Sequence, residues 1–211
     1  MKVLITAGPT REYWDPVRFL SNGSSGVMGV ELARVAGAMG AHVTLVIGPV
    51  PGAPPASNGM RVVPVISASE MDEAVQKNLE DTQVFIGAAA VSDYRPAEMS
   101  KSKIKDRQPS VTLKLLRNPD IIAKVAQRNP RRPPIVIGFA LETNNLMKNA
   151  KEKLQRKGLD WVVANLQSNI GKSRGSAVLL SRWGEKIPLG SMSKQNLAGK
   201  IWEALLKRPA L

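Results

Sequence analysis

Lys2-Val3-Leu4-Ile5-Thr6-Ala7-Gly8-Pro9-Thr10-Arg11, with Ser21-Asn22-Gly23-Ser24-Ser25-Gly26-Val27-Met28-Gly29 close behind it, is the stretch whose reading decides the fold. Its first six residues form a continuous apolar run that reads as a buried strand, and Gly8-Pro9 ends it. The glycine- and serine-rich turn then enters a helical pattern of Val30, Leu32, Ala33 and Ala36. Small residues with free backbone N–H groups at a helix N-terminus make an anion site, because the orphan donors and the helix dipole both favour negative charge. That points to phosphate. Gly23, Gly26 and Gly29 have Gly-x-x-Gly-x-x-Gly spacing, yet residues 8–22, among them Arg18 and Asn22, separate them from the strand. The dinucleotide fingerprint sets its glycines directly after the first strand. A glycine-rich turn that only permits close helix–strand packing is the competing reading.

Outward from this opening, apolar runs alternate with helical patterns. Residues 41–47 read as a second buried strand, joined to the first by a helix over 27–39. Residues 60–66 read as a third strand, after the Pro-rich loop of residues 49–58. Ser67-Ala68-Ser69-Glu70 has capping-box spacing and opens a helix with Met71, Ala74, Val75 and Leu79 on one side. Residues 84–86, 135–139 and 161–164 are further short, β-branched strands. Residues 177–180 and 186–189 around Gly184 read as a terminal hairpin, and Ser193 caps a last helix carrying Leu197, Ile201 and Leu205. Continuous apolar strands in strand–helix–strand repetition argue a parallel sheet covered on both faces. The expectation is an α/β chain: a Rossmann-like, mostly parallel sheet with helices on both faces, plus a C-terminal β-hairpin and helix. With no internal repeat or linker, residues 1–211 are read as one domain.

Composition narrows the class. An apolar content of 43% fits a soluble globular chain, and no run approaches the roughly 18 residues of a membrane span. The sequence enters a strand without a charged leader, so neither a secretory signal nor a membrane partner is expected, and the cytoplasm is the default location. Zero cysteines exclude disulfides, thiolate catalysis and cysteine–zinc sites. A formal charge of +13 implies anionic partners, either nucleic acid or small phosphorylated substrates drawn to a positive cleft. Nine aromatics without zinc-finger or RNP-type motifs argue against base readout, so nucleic acid is not expected as a partner.

Inventory removes most catalytic constellations. His42 is the only histidine and opens an apolar strand, so a Ser-His-Asp triad or a histidine metal cluster is excluded. Tyr13 and Tyr94 are followed four residues on by Val17 and Glu98, not by the lysine of short-chain reductases. No Gly-x-x-x-x-Gly-Lys-Ser/Thr is present. What remains are loops at strand ends. Gly87-Ala88-Ala89-Ala90-Val91-Ser92-Asp93-Tyr94-Arg95 would let a flat ligand approach the backbone. Asp93 would accept from an exocyclic amine, with an Asx turn or a salt bridge to Arg95 as the alternative. Asn118-Pro119-Asp120-Ile121 reads as a helix start with Asn118 as cap. Glu142-Thr143-Asn144-Asn145, directly after a strand broken at Gly138, falls where open α/β sheets bind ligands. Lys153 and Lys157 stand at i, i+4 and share a helix face, either gripping one polyphosphate or forming a solvated basic surface.

These segments together resemble one family. Thr6–Arg11, Asp15–Asn22, Ser24–Gly29, Ala88–Arg95, Lys103-Ile104-Lys105, Asn118–Ile121 and Gly138–Asn144 stand in the order found in phosphopantothenate–cysteine ligase (phosphopantothenoylcysteine synthetase), over roughly residues 2–165. The resemblance implies a ligase domain acting in coenzyme A biosynthesis. It would activate the carboxylate of 4'-phosphopantothenate with CTP, releasing pyrophosphate, and let the L-cysteine amine displace CMP from the acyl-cytidylate. Such work is chiefly positioning of polyanions and neutralisation of charge, which needs no histidine.

By that likeness Gly87, Ala88, Ala89, Asp93, Asn118, Pro119, Asp120, Ile121 and Phe139 would hold the nucleotide, and Lys103, Lys153 and Lys157 its phosphates. Asn22 would contact the acyl intermediate, with Arg18 in the same loop, and Lys103 would act at the reacting centre. Mg²⁺ would offset the triphosphate charge, with its ligands unassigned. Residues 101–107 would form a mobile flap over the nucleotide. A homodimer is implied, as is a phosphopantothenoylcysteine decarboxylase as a separate partner. Nothing resembles the flavin-dependent decarboxylase half of the bifunctional members, so no flavin is expected. Bacterial members use CTP and eukaryotic relatives resemble ATP users; Asp93 and Lys103 favour CTP. A non-catalytic nucleotide or nucleic-acid module and an NAD(P)-dependent oxidoreductase are the rival classes.

Overall fold

The computed structural model describes residues 1–52, 54, 59–105, 109–127, 132–166 and 172–207. In chain order the strands and helices are β1 (Lys2–Ala7), β2 (Arg11–Tyr13), β3 (Phe19–Ser21), α1 (Val27–Ala38), β4 (His42–Ile47), β5 (Met60–Pro64), α2 (Ala68–Lys77) and β6 (Val84–Gly87). There follow β7 (Tyr94–Pro96), β8 (Leu115–Arg117), α3 (Ile121–Ala126), β9 (Ile135–Glu142), α4 (Leu146–Arg156), β10 (Trp161–Leu166), β11 (Arg174–Ser181), β12 (Lys186–Ser193) and α5 (Lys194–Leu206).

Eight strands form one sheet in the order β12-β11-β10-β9-β6-β1-β4-β5. Its six parallel members follow the 3-2-1-4-5-6 order of a doubly wound nucleotide fold, so the expected Rossmann-like architecture is found. The chain winds outward from β1 in both directions, which leaves a crevice between the carboxyl ends of β1 and β6. Alternate strand residues face two apolar layers. Val3, Ile5, Val84, Ile86, Ile135 and Ile137 pack under α1 and α5, whereas Leu4, Phe85 and Val136 pack under α2, α3 and α4. The α5 layer is tied down by Trp202, fully buried, whose indole Nε1 donates to Leu32 O at 3.0 Å. The terminal hairpin β11–β12 extends the main sheet, with β11 antiparallel to β10. Ser193 caps α5 through Asn196 N, and Ser67 caps α2 through Glu70 N.

Three local expectations are corrected. Strand β9 is not broken at Gly138 but runs on to Glu142. Gly138 pairs with Gly87 of β6, and a Cβ on Gly138 would lie 2.8 Å from Cδ1 of Ile122 and of Leu159. Those two glycines are the hollow into which α3 settles. The cap of α3 is Asp120, which accepts from Ala123 N, and not Asn118. Asn118 is drawn out of that role by tertiary bonds to the loop after β6. Finally, two small antiparallel pairs, β2–β3 and β7–β8, occupy stretches to which the sequence pattern assigns no strand. Their strands of three residues are too short to show a period.

Candidate functional site

Gly29 sets the position of α1 at the crevice. Its hypothetical Cβ would lie 2.5 Å from Ala7 Cβ, so only glycine lets α1 descend onto β1. This is the packing role weighed for the glycine turn. Gly26 is the N-cap in the left-handed region (φ 71°), and the Ser24–Gly26 turn opens at the crevice. The hairpin β2–β3 lies between β1 and this turn, so the glycines are not arranged as a dinucleotide fingerprint.

Opposite the turn, the loop after β6 is pinned along its backbone. Ala90 N donates to Gly8 O at 2.9 Å and Ser92 N to the buried Thr10 Oγ1 at 3.0 Å. Asn22 Nδ2 donates to Ala90 O and Val91 O, both at 3.1 Å. Asn118 clamps the end of the loop: its amide donates to Asp93 O at 2.8 Å and its Nδ2 to Ser92 O at 2.9 Å, while its Oδ1 accepts from Arg95 at 3.1 Å. Arg95 is thereby engaged with Asn118 and Arg117 O, so the salt bridge to Asp93 considered from the sequence does not form. Among the described residues the Asp93 carboxylate has no hydrogen-bond or ion-pair partner and stands exposed at the mouth of a cleft.

That cleft, of about 170 Å³, is lined by Gly87, Ala89, Asp93, Asn118–Ile121, Phe139, Lys153 and Lys157 from the expected set. It is smaller than the ~300 Å³ at which pockets for drug-sized ligands begin, so much of a nucleotide would lie outside it. Lys153 and Lys157 both point inward, which rules out the solvated basic face. Lys157 Nζ pairs with both Asp120 oxygens at 3.0 Å, and Lys153 Nζ donates to Phe139 O. Burial lowers the proton affinity of Lys153, Lys157 beside it lowers it further, and Glu142 and Asp120 oppose the change. A bound polyanion would restore it.

The remaining expected residues lie outside the cleft lining. Ala88 turns toward the α1 layer. Asn22 is exposed and is held on the carbonyls of Ala90 and Val91. Arg18 is turned onto Asp15 and Ile104 O, and Lys103 is exposed beside Ile104. Of the expected flap, residues 101–105 are described and residues 106–107 lie outside the described residues. His42 is exposed at the amino end of the sheet, remote from the cleft. Sequence reasoning missed Arg117, Thr6, Ser92 and Ile122 in the lining. Adjacency to the Asn118–Ile121 motif was the available signal for Arg117 and Ile122, and Ser92 lies in the loop already quoted beside Asp93; Thr6 is visible only through its pairing with Gly87. Among the described residues no three acidic, histidine or cysteine side chains cluster to hold a metal, and no helix is long and apolar enough to cross a membrane.

Known proteins resemble the chain over nearly its whole length. The family described as DNA/pantothenate metabolism flavoprotein C-terminal domain matches residues 1–208, well past the likeness read over roughly residues 2–165. The coenzyme A biosynthesis bifunctional protein CoaBC of Haemophilus influenzae is 41% identical over 211 residues, covering 99% of this chain and 52% of that protein. Its counterpart from Escherichia coli K12 is 41% identical over 206 residues, 95% of this chain and 50% of that one. The chain therefore spans about half the length of the curated relatives it matches. A crystal structure of the C-terminal domain of CoaBC superposes with a TM-score of 0.81 at 35% identity, covering 97% of this chain and 93% of that one.

Proposed function

This chain belongs to the DNA/pantothenate metabolism flavoprotein C-terminal domain family, and we propose that it is a ligase joining 4'-phosphopantothenate to L-cysteine at the expense of CTP. The observation that carries this reading is the cleft at the carboxyl ends of β6 and β9, where a pinned small-residue loop, a carboxylate without a partner among the described residues and two inward lysines converge. The relatives' naming for coenzyme A biosynthesis supports it, since this chain matches them over about half their length.

In this reading the base enters between Gly87, Ala89 and Asn118–Ile121, and Asp93 accepts from its 4-amino group. Asp93 and Lys103 favour CTP over ATP. Lys153 and Lys157 take the phosphates, which displace Asp120 from Lys157, and Lys103 meets them from the 101–105 segment. The pantothenate carboxylate then attacks the α-phosphorus and pyrophosphate leaves. Attack of the cysteine amine on the acyl carbon expels CMP. The lysines hold the charge that develops on the phosphates, and Asn22 and Arg18 hold the acyl side. Magnesium, which commonly binds through substrate phosphates with few protein ligands, would ride on the triphosphate and reduce its charge density.

Phe19, Met99, Tyr94, Leu115 and Leu116 are exposed apolar side chains on or beside the two small hairpins, and β2 packs against β7. That surface supports a homodimer through these hairpins. A decarboxylase would act on the product, as a separate or fused unit, and the soluble substrates favour a cytoplasmic setting. The test is an endpoint assay with 4'-phosphopantothenate, L-cysteine and Mg²⁺, run with CTP and with ATP and read by mass spectrometry. Phosphopantothenoylcysteine and CMP from the CTP reaction are expected. Product with ATP alone would overturn the nucleotide assignment, and no product with either would overturn the ligase.

A further inference from the structure

Asp15 lies in the turn between β2 and β3 with its side chain fully buried. Its Oδ1 accepts from the amides of Val17 and Arg18 at 2.8 Å each, an ordinary way to close a tight turn. Its Oδ2 is not needed for that turn. It accepts instead from Arg18 Nε at 2.9 Å, from Arg18 Nη2 at 2.6 Å and from the amide of Ile104 at 3.3 Å, which is 89 residues away in the chain. The same Nη2 donates onward to Ile104 O at 2.7 Å. Ser100 N also donates to Trp14 O at 2.8 Å, and the Arg18 guanidinium stands 5.7 Å from the centre of the Trp14 ring. Burial alone would raise the Asp15 carboxyl, but the three amides and the guanidinium outweigh it and hold it well below the usual carboxylate range.

What this carboxylate ties together is specific. One end is Arg18, two strand residues and Ser21 away from Asn22; the other is Ile104, flanked by Lys103 and Lys105. Among the described residues Arg18 Nη1 and the ammonium groups of Lys103 and Lys105 have no partner, so the fastening leaves free donors facing outward. We propose that Asp15 is a positioning residue that locks Arg18 and the Lys103-bearing segment into one unit, so that the cation for the acyl side and the cation for the nucleotide phosphates are presented together. The proposal rests on the ligase reading for its kinetic consequence but not for its geometry.

Asp15→Asn keeps Oδ1 for the two turn amides and replaces Oδ2 with a donor that faces Arg18 and the Ile104 amide. Two measurements follow on the wild type and the variant. Tryptic cleavage after Lys101, Lys103 and Lys105 should accelerate by about tenfold or more in the variant, since release of a docked segment raises its open population. The ligase kcat should fall by about tenfold or more, and by more than the KM for CTP rises, because the base-binding cleft is untouched while the reacting groups are misplaced. Ile104→Pro deletes the amide donor from the far side and leaves the turn intact. Because trypsin does not cut the resulting Lys103–Pro bond, its cleavage is compared after Lys101 and Lys105 only, and both effects should be reproduced there, which decides the matter if Asp15→Asn does not fold. Unchanged cleavage, or faster cleavage with kcat within about twofold of wild type, would overturn the proposal. A wild type without ligase activity would defeat the functional reading, while the cleavage comparison would still judge the lock.

Discussion

Gly29→Ala is predicted to destabilise the protein although it adds a better helix former to a helix. The added Cβ would sit 2.5 Å from Ala7 Cβ, 3.1 Å from Ala7 Cα and 3.2 Å from Thr6 O. Carbon atoms settle at about 3.5–4.0 Å, so α1 must back away from β1 by about 1–1.5 Å. No rotamer relieves this contact, because the neighbours are backbone and a methyl. Overpacking of this kind costs about 1–3 kcal/mol, against a gain of about 0.5–1 kcal/mol from replacing a helical glycine. The expected net loss is about 1–2 kcal/mol, or about 2–8 °C in Tm for a chain of this size. Gly37→Ala in the same helix is the control, since nothing lies within 4 Å of its hypothetical Cβ, and it should gain about 0.5–1 kcal/mol. Calorimetry and urea unfolding read both. Because the shift moves Gly26 and the turn it caps, kcat/KM of Gly29→Ala should fall by up to about a hundredfold, and Gly37→Ala should keep it. If Gly29→Ala and Gly37→Ala stabilise alike, the account of how α1 reaches the crevice is wrong.

Lys153→Met should abolish tight nucleotide binding without lowering Tm, measured by titration calorimetry and thermal melts. The folded state binds the Lys153 proton less tightly than the unfolded chain does, so the charge disfavours folding at neutral pH and its removal relieves that penalty. With the proton affinity lowered, the charge is lost below the pH at which an ordinary lysine titrates. Wild-type nucleotide affinity should therefore fall as pH rises on the alkaline side, and Lys153→Met should lack that limb. Asp160→Ala should cost about 3–5 kcal/mol in urea unfolding, since it strands Arg132 (2.8 Å), Arg182 (3.0 Å) and Val136 N (2.7 Å) around a buried gap. Asp93→Asn should raise the KM for CTP by at least about tenfold, the loss of a charge-assisted bond to the base; a KM within about twofold of wild type would remove Asp93 from base recognition.

Fold class was legible because its signals are local. Runs such as Val3-Leu4-Ile5 and Ile135-Val136-Ile137 announce buried strands, and Ser67 and Ser193 announce helix starts through bonds that reach three residues. The loop after β6 and the Asn118–Ile121 segment could be singled out from residue type alone, which is why the cleft gathers most of the expected binding set, whereas the Glu142–Asn145 stretch singled out beside them contributes nothing to its lining. Local rules failed where a distant partner competed for the same atoms. Asn118 has the spacing of a cap, but Ser92 O and Arg95 take its side chain, and Asp120 caps α3 instead. Gly138 reads as a break until Gly87 is seen beside it, with Ile122 above the pair.

The sequence by itself determined the elements, the parallel sheet, the anion-seeking character of the strand-end loops and the family they resemble. Only the tertiary structure decided that Lys153 and Lys157 turn inward to one cleft with Asp93, and that Arg18 is fastened through Asp15 to Ile104. Periodicity and capping are written within one or two turns of chain. The meeting of residues 15 and 104 depends on strand order, which brings together segments whose own sequences carry no mark of each other.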